Sequence, residues 1–488
     1  MRLVPFFGQQ KCDTYMKKLF SIFLIAGFII TGCSKPKIAE IPQGAVPFSI
    51  YSGTLPVGTV KLRIVFKIYK DKNNNLSATM DSPDQGATDI PVDAVTISDS
   101  TIRFDLPNLK AYYDGSLQPD GSYQGTWFQG GTSLPLDIAL TETEIVIKRP
   151  QEPKDFPYDV EAVMFKNLKA NINLAGTLTT PEGDGPFPAV VLISGSGPQN
   201  RDEELLGHKP FLVLSDYFTR NGIAVLRYDD RGVGDSEGDF SDATSFDFAN
   251  DADAAVAYLK SHSEFSTIGL AGHSEGGLIA PIVANQSEDV EFIILMAGTG
   301  LTGKEILKLQ GQLILKQTEI SPEGLDAYKK TQSAMLQIVV DIENDDEALK
   351  ILSEESEVYG DLSKQDQQII GYDPETFEVA LKALLHPWMR TFLTLDPRPV
   401  LEKVKVPVLV VNGEKDLQVP PKENLSEIKA ALDRGGNTDY EIHELKGLNH
   451  LFQTCETGAP IEYSLIEETF NEEAMDLMTR WILKRTAS

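Results

Sequence analysis

Cysteine is scarce in this chain, with three thiols, Cys12, Cys33 and Cys455, among 488 residues. Three thiols cannot build a disulfide framework, and none stands at the paired spacing of a zinc site. Positive charge is also short. Against 72 Asp and Glu there are 44 Lys and Arg, a formal net charge of −28, so the surface has little with which to displace the counterions of a phosphate backbone. Nucleic acid is therefore not an expected partner, and the acidity reads as a hydrated, soluble surface. No low-complexity tract is present, and 41% hydrophobic with 24% charged residues is the composition of a globular chain rather than a disordered one. A membrane-spanning run is missing too: the apolar stretch Leu19 to Ile30 falls short of the ~18 to 20 residues that cross a bilayer.

That short run has another reading. Met16-Lys17-Lys18 supplies a positive n-region, Leu19 to Ile30 an apolar h-region, and Gly32 a small residue before Cys33, which is the layout of an export signal. Ile30-Thr31-Gly32-Cys33 resembles a bacterial lipobox, in which cleavage leaves the cysteine as a lipid-bearing N-terminus. Residues 1–33 are thus read as a lipoprotein signal region ending at a lipidated Cys33. The expectation is an exported protein held to a membrane of a bacterial cell envelope by its lipid. Residues 1–15 have no signal character, so translation is expected to start at Met16, and Cys12 then drops out of the mature chain.

Residues 34–45 are short, polar and proline-containing, as suits a tether. From 46 to 147 the pattern has period two. Leu62, Ile64, Phe66 and Ile68 alternate with Lys61, Arg63, Val65 and Lys67, which predicts a strand with one buried face. Ile102 and Phe104, then Leu136, Ile138 and Leu140, then Ile145 and Ile147 repeat the theme between turn signals such as Pro119-Asp120-Gly121. A small all-β barrel or sandwich is expected. Residues 148–158, with three prolines, read as a linker. From 159 to 488 short apolar runs, among them Ala189 to Ile193, Ile223 to Leu226, Thr267 to Leu270, Phe292 to Leu295 and Val406 to Val411, alternate with helical stretches such as Asp247 to Ser261. That alternation predicts an α/β fold with a mainly parallel sheet. A long helical stretch at about 300–395 interrupts it and is expected to cap the strand ends.

Gly272-His273-Ser274-Glu275-Gly276 has the G-x-S-x-G form between a predicted strand and a predicted helix. A serine at such a turn takes a strained backbone conformation that exposes its hydroxyl, and small flanking residues let strand and helix approach closely. The hydroxyl needs a base, and the base an orienting acid. Asp416 follows the run ending Val410-Val411-Asn412-Gly413, and His450 follows Tyr440 to Leu445, so both fall just beyond strand ends, where the sites of open α/β sheets collect. Glu414 is the rival to Asp416. His208, His262 and His386 lie away from strand ends, His443 lies inside a strand, and His273 is expected to shape the elbow. For a tetrahedral oxyanion the expected donors are the backbone N–H groups of Glu275 and of Ser196, with Gly197 second, since Pro198 has none to give.

Ser194-Gly195-Ser196-Gly197-Pro198, Tyr228-Asp229-Asp230-Arg231-Gly232-Val233-Gly234-Asp235-Ser236, Gly272 to Gly277 and Asn449-His450-Leu451-Phe452-Gln453 resemble runs of the bacterial α/β-hydrolase esterases described as serine aminopeptidase-like or prolyl-oligopeptidase-like hydrolases. The resemblance covers the chain from about Asp159 onward, and the Asp-Arg-Gly turn in it is a marker of fold. Residues 46–147, with Ser82-Pro83-Asp84-Gln85-Gly86 and Gly125-Thr126-Trp127, resemble the β-rich module ahead of such hydrolases in secreted bacterial proteins. The resemblance implies an α/β-hydrolase fold with a helical cap and hydrolysis of a small-molecule carboxylic ester by Ser274, His450 and Asp416. No cofactor is expected, because the chain supplies its own nucleophile. A serine peptidase or aminopeptidase with the same triad is the alternative; a non-catalytic ligand-binding lipoprotein is the alternative of another class.

Overall fold

The computed structural model describes residues 46–57, 60–85, 87–129, 132–141, 148–374 and 376–486. The expected signal region, Cys33, the tether, Ile145 and Ile147 lie outside them. The chain forms two compact units that divide between Lys148 and Arg149.

In the first unit strands β1 (Val46–Val57), β2 (Val60–Lys70), β3 (Leu76–Ser82), β4 (Ala87–Val92), β5 (Ala94–Ile97), β6 (Thr101–Leu106), β7 (Ala111–Leu117), β8 (Tyr123–Gln129) and β10 (Ile138–Thr141) form one sheet. Its order is β4-β3-β2-β1-β10-β8-β7-β6-β5, with β9 (Thr132–Pro135) added to β8. The two outermost strands of that order, β4 and β5, are separated in sequence by Asp93 alone. A one-residue connection cannot span a flat sheet of this width, so the sheet curls back on itself towards a barrel. The alternating residues supply the interior: Leu62, Ile64, Phe66 and Ile68 are buried with Ile102, Phe104 and Ile138, and Phe66 stacks on Phe104 at 3.9 Å between ring centres. The outward side of β2 departs from the expected alternation. Val65 and Lys67 are buried as well. The turn Pro83–Gln85 lies against β2, where Asp84 accepts from Arg63 N at 2.6 Å and Nε at 2.8 Å. Lys67 Nζ is paired with Asp81 at 2.9 Å and Asp89 at 2.6 Å.

The second unit is an eight-stranded sheet of β11 (Asp159–Asn167), β12 (Ile172–Thr180), β13 (Phe187–Ile193), β14 (Ala224–Tyr228), β15 (Phe265–His273), β16 (Phe292–Met296), β17 (Val408–Gly413) and β18 (Tyr440–Leu445). The order is β11-β12-β14-β13-β15-β16-β17-β18, parallel from β14 to β18. β11 and β12 form an antiparallel hairpin on its edge. β14, β16 and β17 are buried along their whole length, which is why they read as unbroken apolar runs. Helices 210–220, 245–260, 275–284, 421–435 and 472–486 lie between or after the strands. Val190, Leu192, Phe218, Val225, Ile294 and Val411 share a core with Trp481 and Ile482 of the last of these helices. Between β16 and β17 the chain inserts helices running from Gly303 to Leu401, a little beyond the expected end of the cap.

The linker stretch is hydrogen-bonded into this second unit. Arg149 donates to the carbonyls of Ile466 at 2.8 Å and Ser464 at 3.0 Å, and Gln151 donates to Phe470 O at 2.6 Å while accepting from Thr469 N at 2.6 Å. The segment turns at Arg149 to Glu152, where Glu152 N donates to Arg149 O at 3.2 Å, and two polar side chains tie it down. With each of the four hydrogen bonds worth about 0.5–1.5 kcal/mol net, a chain beginning at Phe156 should be less stable than one beginning at Arg149 by roughly 2–6 kcal/mol. Thermal unfolding of the two should separate them by several degrees; coincident transitions would show that the segment contributes nothing.

Candidate active site

Ser274 joins the end of β15 to the helix Glu275–Ala284, with φ 53° and ψ −113°. Two glycines permit the turn. A Cβ on Gly272 would lie 2.0 Å from Gly276 O, and one on Gly276 would lie 2.2 Å from Ile193 O, so a side chain at either position would push the helix off the sheet. Ser274 N donates to Met296 O at 2.8 Å and its carbonyl accepts from Gly277 N at 3.0 Å. Glu275 opens the helix, and its amide is one of the first-turn donors without an intrahelical acceptor.

His450 and Asp416 come together beyond the C-terminal ends of β18 and β17. His450 Nδ1 lies 2.8 Å from Asp416 Oδ2. The other carboxylate oxygen, Oδ1, accepts from Gln418 N and Val419 N, both at 2.8 Å, and the side chain is fully buried. The acid is therefore fixed on both sides, and the imidazole turns Nε2 away from it. Asn449 holds the His450 turn by accepting from Leu451 N at 3.0 Å and Gln453 N at 2.9 Å. Glu414, the rival acid, is exposed and accepts from Gly447 N at 2.9 Å. His443 lies in β18 with Glu441 at 3.6 Å, His262 is bonded to Tyr258 O, and His386 precedes helix 387–394.

His273 links the parts. Its ring lies 4.8 Å from that of His450 between centres, and its Nε2 is 3.0 Å from His450 O. Its Nδ1 is 2.8 Å from Glu203 Oε1, which also accepts from Gly195 N at 2.7 Å. Burial alone would lower the His273 pKa; the Glu203 carboxylate outweighs it and holds the imidazole above its ordinary range. The loop after β13 thus lies against the elbow: a Cβ on Gly195 would be 3.3 Å from Ser274 Cβ. Since the Gly195 amide is taken, Ser196 and Gly197 remain as the loop's amide donors near the nucleophile, and Gly197 takes the left-handed φ of 93°.

Three contributors were not legible in the sequence. Asp230, in the Asp-Arg-Gly turn, braces the loop by accepting from Ser194 Oγ and Gln199 N, both at 2.9 Å. Burial pushes its pKa well up despite those two bonds. Its neighbour Arg231 pairs with Asp251 at 2.7 Å, the fold-marking contact of that turn. Glu203 carries no motif at all. The Glu275 side chain points inward, accepting from Ser245 Oγ at 2.6 Å and from Trp388 Nε1 of the cap at 2.8 Å, and burial raises its pKa.

The family described as serine aminopeptidase, S33, matches residues 210–373. Esterase EstD of Thermotoga maritima is 25% identical over 386 residues, 79% of each chain. Among solved structures, an esterase of Pyrococcus furiosus is similar with a TM-score of 0.42 at 15% identity, covering 68% of this chain and 93% of its own. Est1E of Butyrivibrio proteoclasticus, solved with ferulic acid, has a TM-score of 0.38 at 18% identity, covering 66% of this chain and 97% of its own. The parallel sheet, the helical insertion after β16 and the serine at the turn from β15 into helix 275–284 are the α/β-hydrolase fold, and the chain is a hydrolase of that superfamily.

Proposed function

We propose that the chain hydrolyses carboxylic esters through an acyl-enzyme, with Ser274 as nucleophile, His450 as base and Asp416 as orienting acid. The observation that carries this is the His450 Nδ1 to Asp416 Oδ2 contact at 2.8 Å beyond the strand ends where the strained Ser274 turn lies. Asp416 accepts the Nδ1 hydrogen, which fixes the tautomer and leaves the Nε2 lone pair for the serine proton. Ser274 Oγ then attacks the acyl carbonyl. The amides of Ser196 and Glu275 receive the oxyanion, His450 returns the proton to the leaving alkoxide, and water releases the acyl group by the same steps. The likeness to EstD supports an ester as the substrate class, and the helical insertion from Gly303 to Leu401 suits a medium-sized acyl group. The serine aminopeptidase description of the matched family favours a second reading, a peptidase with the same residues, because one triad serves both bonds.

Ser274→Ala should lower ester turnover by ~10⁴-fold or more and abolish labelling by a serine-reactive phosphonate. An unchanged rate in that variant would sink the mechanism, and turnover of a peptide panel but not an acyl-ester panel would transfer the activity to the second reading. Asp416→Asn should cost a similar order in kcat, since the wrong tautomer is then held. Glu414→Gln should cost little, because Glu414 caps Gly447 at the surface; the reverse ranking would move the acid role to Glu414.

For the N-terminal end we propose a lipidated Cys33 and a place at the membrane of a bacterial cell envelope. The support is the charged, apolar and small-residue sequence of Met16 to Cys33. Among the described residues no helix is long and apolar enough to cross a membrane. One acyl chain anchors only marginally and stable attachment takes more, as a cysteine bearing several would provide. Cys33→Ser should release the protein from the membrane fraction and remove its lipid mass; unaltered partition would refute the anchor.

A further inference from the structure

The proposed mechanism leaves the second histidine at the nucleophile, His273, without a task. It is buried, with 6% of its surface exposed, and each ring nitrogen faces an acceptor. Nε2 points at His450 O at 3.0 Å, and a carbonyl oxygen has no hydrogen to give, so Nε2 carries one. Nδ1 points at Glu203 Oε1 at 2.8 Å, an oxygen that already accepts the Gly195 amide at 2.7 Å, as an ionised carboxylate does. A neutral imidazole has a single N–H, and two are needed here. We infer that His273 is kept as an imidazolium paired with the Glu203 carboxylate, and that the pair is a positioning device for the nucleophile, the base and the oxyanion loop.

The geometry gives the pair that reach. His273 immediately precedes Ser274, its Nε2 fixes the main chain of His450, and Glu203 fixes Gly195, the residue before Ser196. Three segments distant in sequence are pulled to one imidazole ring. The titratable groups facing that ring are Glu203 from the loop after β13, His450 from the loop after β18 and Asp416 behind it from the loop after β17; Phe452 supplies an apolar edge at 6.3 Å. Both carboxylates favour the cation. Because the folded His273 holds its proton more tightly than a free histidine, the pair stabilises the fold fully below the ordinary imidazole range. That contribution fades as pH rises through the raised folded value.

The inference rests on the Ser274 reading, but its first readout does not depend on turnover. In the full chain labelled with ¹⁵N-histidine, with six histidines in all, the His273 signal is assigned by its loss in His273→Gln. It should show two protonated ring nitrogens at neutral pH, losing one only above the range in which a free histidine titrates, and should titrate at lower pH in Glu203→Gln. In the same variant kcat should fall about 10- to 100-fold, the scale of a small misplacement of reacting groups, with KM changed less than about threefold, and Glu203→Asp should recover part of the loss. A bare nitrogen on His273 near neutral pH in the unaltered protein would overturn the imidazolium. A folded Glu203→Gln enzyme with undiminished kcat would overturn the positioning role. If Glu203→Gln does not fold, the spectrum of the unaltered protein and the kinetics of Glu203→Asp decide the question. Turnover that survives Ser274→Ala would count against the mechanism and leave the protonation result standing.

Discussion

Ser274 holds a backbone conformation, φ 53° and ψ −113°, that residues with a Cβ avoid at a cost of about 1–3 kcal/mol. Such a conformation persists only where its surroundings over-determine it. Here β16 accepts the Ser274 amide, the first helical turn donates to its carbonyl, and glycines at 272 and 276 let helix and sheet approach too closely to leave room for a Cβ. The helix in turn packs close to Gly298 through Gly277. Moving any of these contacts would let the serine relax, and its hydroxyl would no longer project from the sheet. The largely buried parallel strands β13 and β16 on either side of β15 are what make the turn rigid enough to hold that strain.

Around the turn, the chemistry of an acidic chain is managed by burial with donors. Asp416, Asp230 and Glu275 are each nearly inaccessible, and each has at least two hydrogen-bond partners: His450 and the amides of its own turn for Asp416, and groups distant in sequence for Asp230 and Glu275. A buried carboxylate without donors would take up a proton or unfold its surroundings. With donors it becomes a rigid bracket, and the brackets hold both loops and, at Glu275, helices. Asp230 and Glu203 hold the loop that carries Ser196, and Asp416 holds His450. The formal charge of −28 therefore describes the surface, while the interior carboxylates act one at a time on named partners.

How much of this was readable in sequence follows from the range of each interaction. The apolar runs within β13 to β17 were legible because burial on both faces leaves few polar side chains, whereas the half-buried β18, with Glu441, His443 and Glu444, has no such run; the interior of β2 was legible because burial on one face leaves alternation. Ser274, Asp416 and His450 were legible because each stands next to a strand end. The hairpin β11–β12 was not, since an edge strand with mixed exposure has no distinctive run. Burial of Val65 and Lys67 was hidden because it depends on the turn at Asp84 folding back over β2. Glu203 was hidden most completely: its contact with His273 spans 70 residues, and nothing near it in sequence announces it. The prolines at 148–158 marked a linker, but not its hydrogen bonds, because Arg149 finds its acceptors more than 300 residues away.

Glu275 joins two scales of the molecule in one residue. Its backbone begins the helix that follows Ser274, and its side chain turns inward to the indole of Trp388, 113 residues on in the cap. Trp388 lies flat against Phe392, 5.2 Å between ring centres, so the carboxylate grips a rigid aromatic pair rather than a mobile side chain. An indole N–H buried without an acceptor would cost about 1–3 kcal/mol, which is the free energy resisting any cap movement that separates the two. The cap is consequently not an independent cover laid over the sheet. Its helix 387–394 is bonded to the residue whose amide stands beside the nucleophile, and a displacement of that helix would act on the elbow through the same side chain.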